Sequence, residues 1–314
     1  MNNSNIEVLL KILPSAIRTA LVKLDNGTFS EITELHIHAS GAVSVVISGK
    51  SSALTNAGIT NNLKETVRVS HEELENFIFR ACHGSVYTHE ESIKEGYITT
   101  DYGIRIGISG NCTTKNGNLI GFSKICGVSI RLPRHIDGAS VSVTSIIEKS
   151  GFPNNKGILI ASAPGVGKTT LLRDLSLRLS SGMSVCGHKS IFRVCVIDER
   201  NEIYMHSLFD NCCIDFLSNI PKVKGMEIAT RVLSPEVIVL DEIGTESESK
   251  EIIKAHSGGV VLIASVHADS IESLYERPHI KSLLQANVFG AVYCLKRNSG
   301  KITGEYYTLN KETC

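Results

Sequence analysis

Apolar residues recur at three- and four-residue steps at the start of the chain, at Ile6, Leu10, Leu13, Ile17, Leu21 and Leu24. That spacing predicts an amphipathic helix, bent or restarted at Pro14. Its polar face is not strongly basic, so the stripe is expected to face a core rather than a membrane. The period then shortens. Glu34 to His38, Val43 to Ser48 and Glu65 to Val69 read as short strands. Ser70-His71-Glu72-Glu73 reads as a capping box opening a helix that carries Leu74, Phe77, Ile78 and Ala81. Tyr97 to Thr100 and Gly103 to Ser109 return to period two, with Ile104, Ile106 and Ile108 on one face and Arg105 on the other. Asn116-Gly117 predicts a hairpin turn, and Val128 to Leu132 a further strand.

Pro133 to Gly138 and Gly151-Phe152-Pro153-Asn154-Asn155 are rich in breakers, which places a domain boundary near 136–156. Beyond it, strands alternate with helical patterns. Strands are predicted to end at Ser162, Ile197, Leu240, Val266 and Leu295, with a last pair near Tyr293 and Tyr306-Tyr307. Runs such as Val237-Ile238-Val239-Leu240 and Val260-Val261-Leu262-Ile263-Ala264 are apolar at every position. They imply strands covered on both faces, as in a largely parallel sheet. The expected organisation is an N-terminal α+β domain over 1–140 and an α/β domain over 141–314.

One junction carries chemistry. The apolar run Gly157-Ile158-Leu159-Ile160-Ala161 leads into Ser162-Ala163-Pro164-Gly165-Val166-Gly167-Lys168-Thr169-Thr170, and a helical run follows from Leu171. Strand, glycine turn, Lys-Thr and helix form the context of a phosphate-binding loop. Glycines let backbone N–H groups converge on phosphate oxygens, and the helix adds its positive end. Gly165, Val166, Gly167, Lys168, Thr169 and Thr170 are the expected nucleotide contacts. Lys168 is placed to reach terminal phosphates, and the Thr169 hydroxyl to ligate Mg²⁺. Ser162 stands where such loops begin with glycine. The bland alternative is a glycine turn with a surface lysine.

Three more predicted strand ends carry polar residues, where open α/β sheets bind ligands. Asp241 follows Val237 to Leu240 and is the second expected Mg²⁺ ligand. Glu242, next to it, suits orienting or deprotonating a water. Asp198-Glu199-Arg200-Asn201-Glu202 follows Val194 to Ile197. One of its acids is a further candidate for polarising water, the other pairing with Arg200 or a hydrogen-bond donor, and spacing leaves the choice open. His267 follows Val260 to Val266 and is placed to sense a terminal phosphate or to stabilise a contact with a neighbouring subunit. Arg131 and Arg134, ending the last strand before the boundary, are candidates for neutralising charge on a nucleotide. His36 and His38 share a strand face, but two histidines without further ligands make a poor metal site.

Composition narrows the classes. The 314 residues hold 32 basic and 32 acidic side chains, 14 of each in 1–150 and 18 of each in 151–314. That balance gives no support for nonspecific nucleic-acid binding. No apolar run approaches the ~20 residues of a membrane span, and no secretory signal pattern opens the chain. Nine cysteines at irregular spacings, with no Cys-x-x-Cys, favour reduced and mostly buried thiols.

Together these segments resemble the stage III sporulation protein AA ATPase family, relatives of the type II and type IV secretion motor ATPases. The matching pieces are Tyr87, Glu95 to Thr99, Gly103 to Gly107, Ala163 to Thr170, Asp198 to Ile203, Pro221-Lys222 with Gly225-Met226, Arg231 with Ser234 to Gly244, and Ser265-Val266-His267-Ala268. The resemblance implies a RecA-like P-loop NTPase domain behind a smaller N-terminal α+β domain. It implies ATP and Mg²⁺ as ligands, and a hexameric ring with nucleotide near subunit and domain boundaries. It implies a cytoplasmic motor docked on a membrane channel between mother cell and forespore. By motif, Lys168 and Thr169 fall in Walker A, Asp241 and Glu242 in Walker B, Asp198, Glu199 and Glu202 in the acidic box, and His267 in the histidine box. Glu242, Glu199 and His267 are the expected catalytic residues. Ser162 departs from the family's first glycine, and His36 and His38 replace arginines common in relatives. The leading expectation is ATP hydrolysis. A nucleotide-gated scaffold and a P-loop kinase are the rivals, the latter disfavoured because no acceptor pocket or arginine-rich lid is evident. A DNA-translocating motor is disfavoured by the even charge.

Overall fold

The computed structural model describes residues 3–85, 89–100, 104–115, 117–132, 135–153, 156–205, 208–268, 270–298 and 301–309. They form two compact units, one of 1–134 with 205–207 and one of 135–204 with 208–314.

In the first unit the apolar stripe becomes two helices. α1 (Asn3–Ile12) stops before Pro14, and Pro14 caps α2 (Ser15–Val22). Leu13, Ile17 and Leu21 are buried. After α3 (Asn26–Glu31), an antiparallel sheet is built from β1 (Ile32–His38), β2 (Val43–Ile47), β3 (Lys50–Thr55), β4 (Gly58–Thr60), β5 (Tyr97–Thr99), β6 (Arg105–Lys115) and β7 (Asn118–Arg131), in the order β4-β3-β2-β1-β7-β6-β5. α4 (His71–Ala81) opens on the expected capping box, with Ser70 and Glu73 satisfying each other's backbone N–H groups. Its Leu74, Phe77, Ile78 and Ala81 enter the same core as Leu35, Ile37, Ile104 and Ile106. α5 (Glu90–Lys94) completes this unit.

Two expectations change here. Glu65 to Val69 forms no strand; a 3₁₀ turn (Leu63–Glu65) leads in, and a single bridge joins Val69 to Ala39. The Thr66 side chain does the pairing instead. Its hydroxyl lies 2.7 Å from Val43 O and 3.0 Å from Leu54 O, and accepts from Val43 N–H. β3 and β4 have no apolar alternation to announce them. Asn116 and Gly103 lie outside the described residues, although Lys115 and Asn118 pair across the expected turn.

The second unit is a seven-stranded sheet covered on both faces. α6 (Val141–Ser150) precedes β8 (Gly157–Ser162) and α7 (Lys168–Ser181). β9 (Met183–Val185) and β10 (His188–Ser190) form a small separate hairpin. β11 (Val194–Asp198) and β12 (Ile214–Ser218) follow, then α8 (Lys222–Ile228), β13 (Val237–Glu242), α9 (Glu246–Ser257), β14 (Val261–His267), α10 (Ile271–Tyr275), α11 (Pro278–Gln285), β15 (Phe289–Asn298) and β16 (Lys301–Thr308). The order is β12-β11-β13-β14-β8-β15-β16, with all neighbours parallel except β15 and β16. The β15–β16 pair joins Tyr293 to Tyr306, as the sequence predicts.

The uniformly apolar strands divide by parity. Ile158 and Ile160 pack with Leu171, Leu172, Leu175 and Leu179 of α7 on one face. Leu159 and Ala161 pack with Met226, Ile252 and Leu283 on the other. Period-two side chains need both layers, which is why no polar alternation appears. Each fully buried leucine of α7 contributes about 1.5–3 kcal/mol. The thiols are less buried than expected: of the eight described, all free, Cys82, Cys195 and Cys294 are buried, and Cys112, Cys186 and Cys213 are exposed.

Candidate functional site

β11, β13, β14 and β8 are consecutive neighbours running the same way. Their carboxyl ends therefore share one rim, and the rim gathers Asp198, Asp241, Glu242, His267 and Ser162.

β8 stops at Ser162 and the chain turns into α7. Gly165 has φ +72° and Gly167 φ +122°, a left-handed backbone that side chains resist. A turn of this kind leading into a helix N-terminus is a cradle for anions. Val166 is buried, while Thr169 and Thr170 are half-buried in the first turn of α7. Lys168 is buried. Its Nζ donates to Ser162 O at 3.3 Å, lies 3.5 Å from Ser162 Oγ, and lies 2.7 Å from His267 Nδ1. Serine at the departing first position thus offers the lysine two oxygens.

An ammonium only donates, so Nδ1 of neutral His267 accepts and the ring proton sits on Nε2. That nitrogen lies 3.1 Å from Glu242 Oε2. Lys168, His267 and Glu242 form one continuous chain. Burial pulls the Lys168 pKa down, and the charges of Glu242 and Asp241 pull it partly back.

Asp241 is the extra residue of an irregular step in the β13–β14 ladder, between the pairs Leu240–Ala264 and Glu242–Ser265. Such a bulge re-aims side chains. Ser265 Oγ anchors it by donating to Asp241 O at 2.7 Å. Burial, then Glu202 and Asp198, push the Asp241 carboxyl up to about 7, with Lys222 opposing. Burial first, and the neighbouring acids after it, disfavour the Asp241 charge, which a divalent cation at this oxygen donor would compensate.

The acidic segment after β11 divides its work. Asp198 is fully buried, and its carboxylate accepts from the N–H groups of Glu202 (2.8 Å), Ile203 (2.7 Å) and Tyr204 (3.0 Å). It closes a loop. Buried Arg173 of α7 braces the same loop, donating to the carbonyls of Ile203 at 2.8 Å and of Glu202. Burial pushes its guanidinium down to about 10. Glu199 turns to Lys222, at 2.7 Å, which takes the place expected for Arg200. Lys222 also lies 3.4 Å from Glu248, the residue that caps α9. Burial opposes the Lys222 charge, but both carboxylates outweigh it and raise its pKa. The structure therefore brings Lys168, Asp241, Glu242 and His267 together and leaves Glu199 in a separate ion pair.

Sequence reasoning gave Arg173 and Lys222 no role. The signal for Arg173 was present: Arg173-Asp174 interrupts the leucines of α7. In the first unit, Arg105 lies over the Tyr97 ring at 4.1 Å and Arg131 lies 3.6 Å from Glu34. His36 also meets Glu34, at 3.1 Å. Arg134 lies outside the described residues.

The fold, an antiparallel-sheet unit followed along the chain by an α/β unit, is the one found in solved P-loop secretion and pilus-motor ATPases. The X-ray structure of the Legionella pneumophila ATPase DotB matches 93% of this chain and 80% of its own, at TM-score 0.61 and 15% identity. The pilus retraction motor PilT, crystallised with ADP, matches 94% of this chain and 84% of its own, at TM-score 0.62 and 12% identity. At such identities the likeness is one of fold. The chain belongs to the family described as "Sporulation stage III, protein AA", whose model matches residues 3–311. Stage III sporulation protein AA of Bacillus subtilis (strain 168) is 32% identical over 301 residues, 93% of this chain and 91% of that protein. Among the described residues, no helix is long and apolar enough to cross a membrane.

Proposed function

We propose that this protein binds ATP with Mg²⁺ and hydrolyses it. The observation that carries the reading is the Lys168–His267–Glu242 chain beside Asp241 on a single rim. The loop glycines and α7 cradle the phosphates, with Lys168 moving from His267 onto the terminal phosphate. Thr169 and Asp241 hold Mg²⁺, which supplies positive charge to the phosphate oxygens. Glu242 takes a proton from the attacking water as the new P–O bond forms and the bond to the leaving diphosphate breaks. His267, proton toward Glu242, fixes that carboxylate's orientation.

Family membership and a motor fold support the larger reading: a homo-oligomeric ring, hexameric in the form inferred, energising a membrane channel of the sporulation complex from the cytoplasmic side. That PilT was crystallised with ADP supports the choice of nucleotide.

Phosphate release from ATP and Mg²⁺ by the purified protein tests the enzyme. Lys168→Ala and Glu242→Gln each abolish release, the second with ATP binding retained. Undiminished release in both overturns the proposal. ATP binding with ring assembly but negligible release identifies a scaffold instead.

A further inference from the structure

β15 runs parallel to β8 with Cys294 level with Ala161, and continues to Asn298. Two residues past the level of Ser162, about 7 Å further on, stands Arg297. Its cross-strand partner in β16 is Ile302, so both side chains project from one face of the hairpin. That face meets the phosphate loop. Arg297 Nη2 donates to Gly165 O at 3.3 Å, and Ile302 Cδ1 lies 3.4 Å from where a Cβ on Gly167 would stand. Both side chains are exposed, and Ile302 is among the exposed large apolar residues at 48%.

The loop has a direction. Lys168 points to His267 on β14, and Asp241 and Glu242 lie one strand further on. A triphosphate in the loop keeps its terminal end on that side of β8. Its other end, with ribose and base, leaves toward the strands on the opposite side of β8, which are β15 and β16. There an exposed apolar side chain sits beside a planar cation that the Gly165 carbonyl holds in place. That contact uses one of five guanidinium donors and leaves its plane able to stack on a ring.

We propose that Arg297 and Ile302 form the nucleoside subsite, receiving the base and ribose of a bound nucleotide. This rests on the nucleotide-binding reading above. Calorimetry on the full chain compares Mg²⁺–ADP with Mg²⁺–tripolyphosphate, which carries phosphates but no nucleoside. Arg297→Ala and Ile302→Ala are expected to weaken ADP about ten-fold while tripolyphosphate binding stays within about two-fold. Arg297→Lys keeps the charge but not the plane, and is expected to behave like Arg297→Ala. Retained tripolyphosphate binding certifies a folded loop in each variant. Equal loss of both ligands, or no loss of either, overturns the subsite. Wild-type protein that binds neither ligand overturns the underlying nucleotide reading and the subsite with it. Should Ile302→Ala not fold, the two Arg297 variants decide.

Discussion

Lys168 Nζ and His267 Nδ1 lie 2.7 Å apart although 99 residues separate them in the chain. The pairing follows from strand order. β14 sits directly beside β8, and His267 is level with Ser162. The histidine is thus both the resting partner of the lysine and, through Nε2, the partner of Glu242.

Removing that imidazole separates binding from chemistry. His267→Ala leaves ATP affinity undiminished, because Lys168 no longer gives up a hydrogen bond to reach phosphate. Turnover falls about 10²-fold or more, because Glu242 loses its orienting partner. Fluorescent-nucleotide binding alongside single-turnover phosphate release measures both.

Asp241 predicts how acidity acts on the metal-free protein. Its folded pKa of about 7 lies above the ordinary value of 3.8. Between those values the unfolded chain has lost the proton that the folded chain retains. Asp241 therefore contributes stability below about pH 4, and that contribution is lost as pH rises through 7. In EDTA, Asp241→Asn raises the thermal midpoint at pH 8 and changes it little at pH 4. The same midpoint at both pH values relative to wild type would contradict this assignment.

Asp198 is expected to behave as a structural acid. Asp198→Ala leaves three backbone N–H groups of the 202–204 loop without their acceptor and costs on the order of 2–5 kcal/mol. Urea denaturation reads the loss, which appears even when no nucleotide is present.

Glu199 and Glu242 separate in a paired experiment. Glu199→Gln weakens an ion pair with Lys222 and lowers turnover less than about ten-fold, whereas Glu242→Gln abolishes it. Lys222→Met is worse than Glu199→Gln for stability, because it strips both Glu199 and Glu248 of a half-buried partner. Parallel melting and phosphate-release assays distinguish the three.

Periodicity and punctuation made much of this fold legible. Pro14 restarts the first helix, Ser70 and Glu73 open α4, and uniformly apolar runs announce strands covered on both sides. The glycine turn between β8 and α7 and the three further polar strand ends were readable because each polar cluster follows such a run. Pairing and aim were not readable. Nothing in Glu65 to Val69 shows that a threonine hydroxyl replaces a ladder. Nothing in Leu240-Asp241-Glu242 shows a bulge, since the extra residue exists only relative to β14. The partner of Glu199 was equally hidden, because Lys222 reaches it through the start of α8 rather than along the chain.

Asp174 lies on α7, one turn beyond Thr170. Its carboxylate accepts from Ser140 N–H at 2.8 Å, Ser140 Oγ at 2.6 Å, Gly138 N–H at 3.3 Å and Arg178 Nε at 3.1 Å. Burial disfavours its charge, but these donors outweigh that and hold its pKa below the usual range. The helix that starts at the phosphate loop is thereby moored to the opening stretch of its own unit. Residues 138–140, more than twenty positions upstream of the loop, are fixed to the same helix that the loop opens, so the two ends of this stretch are held as one piece.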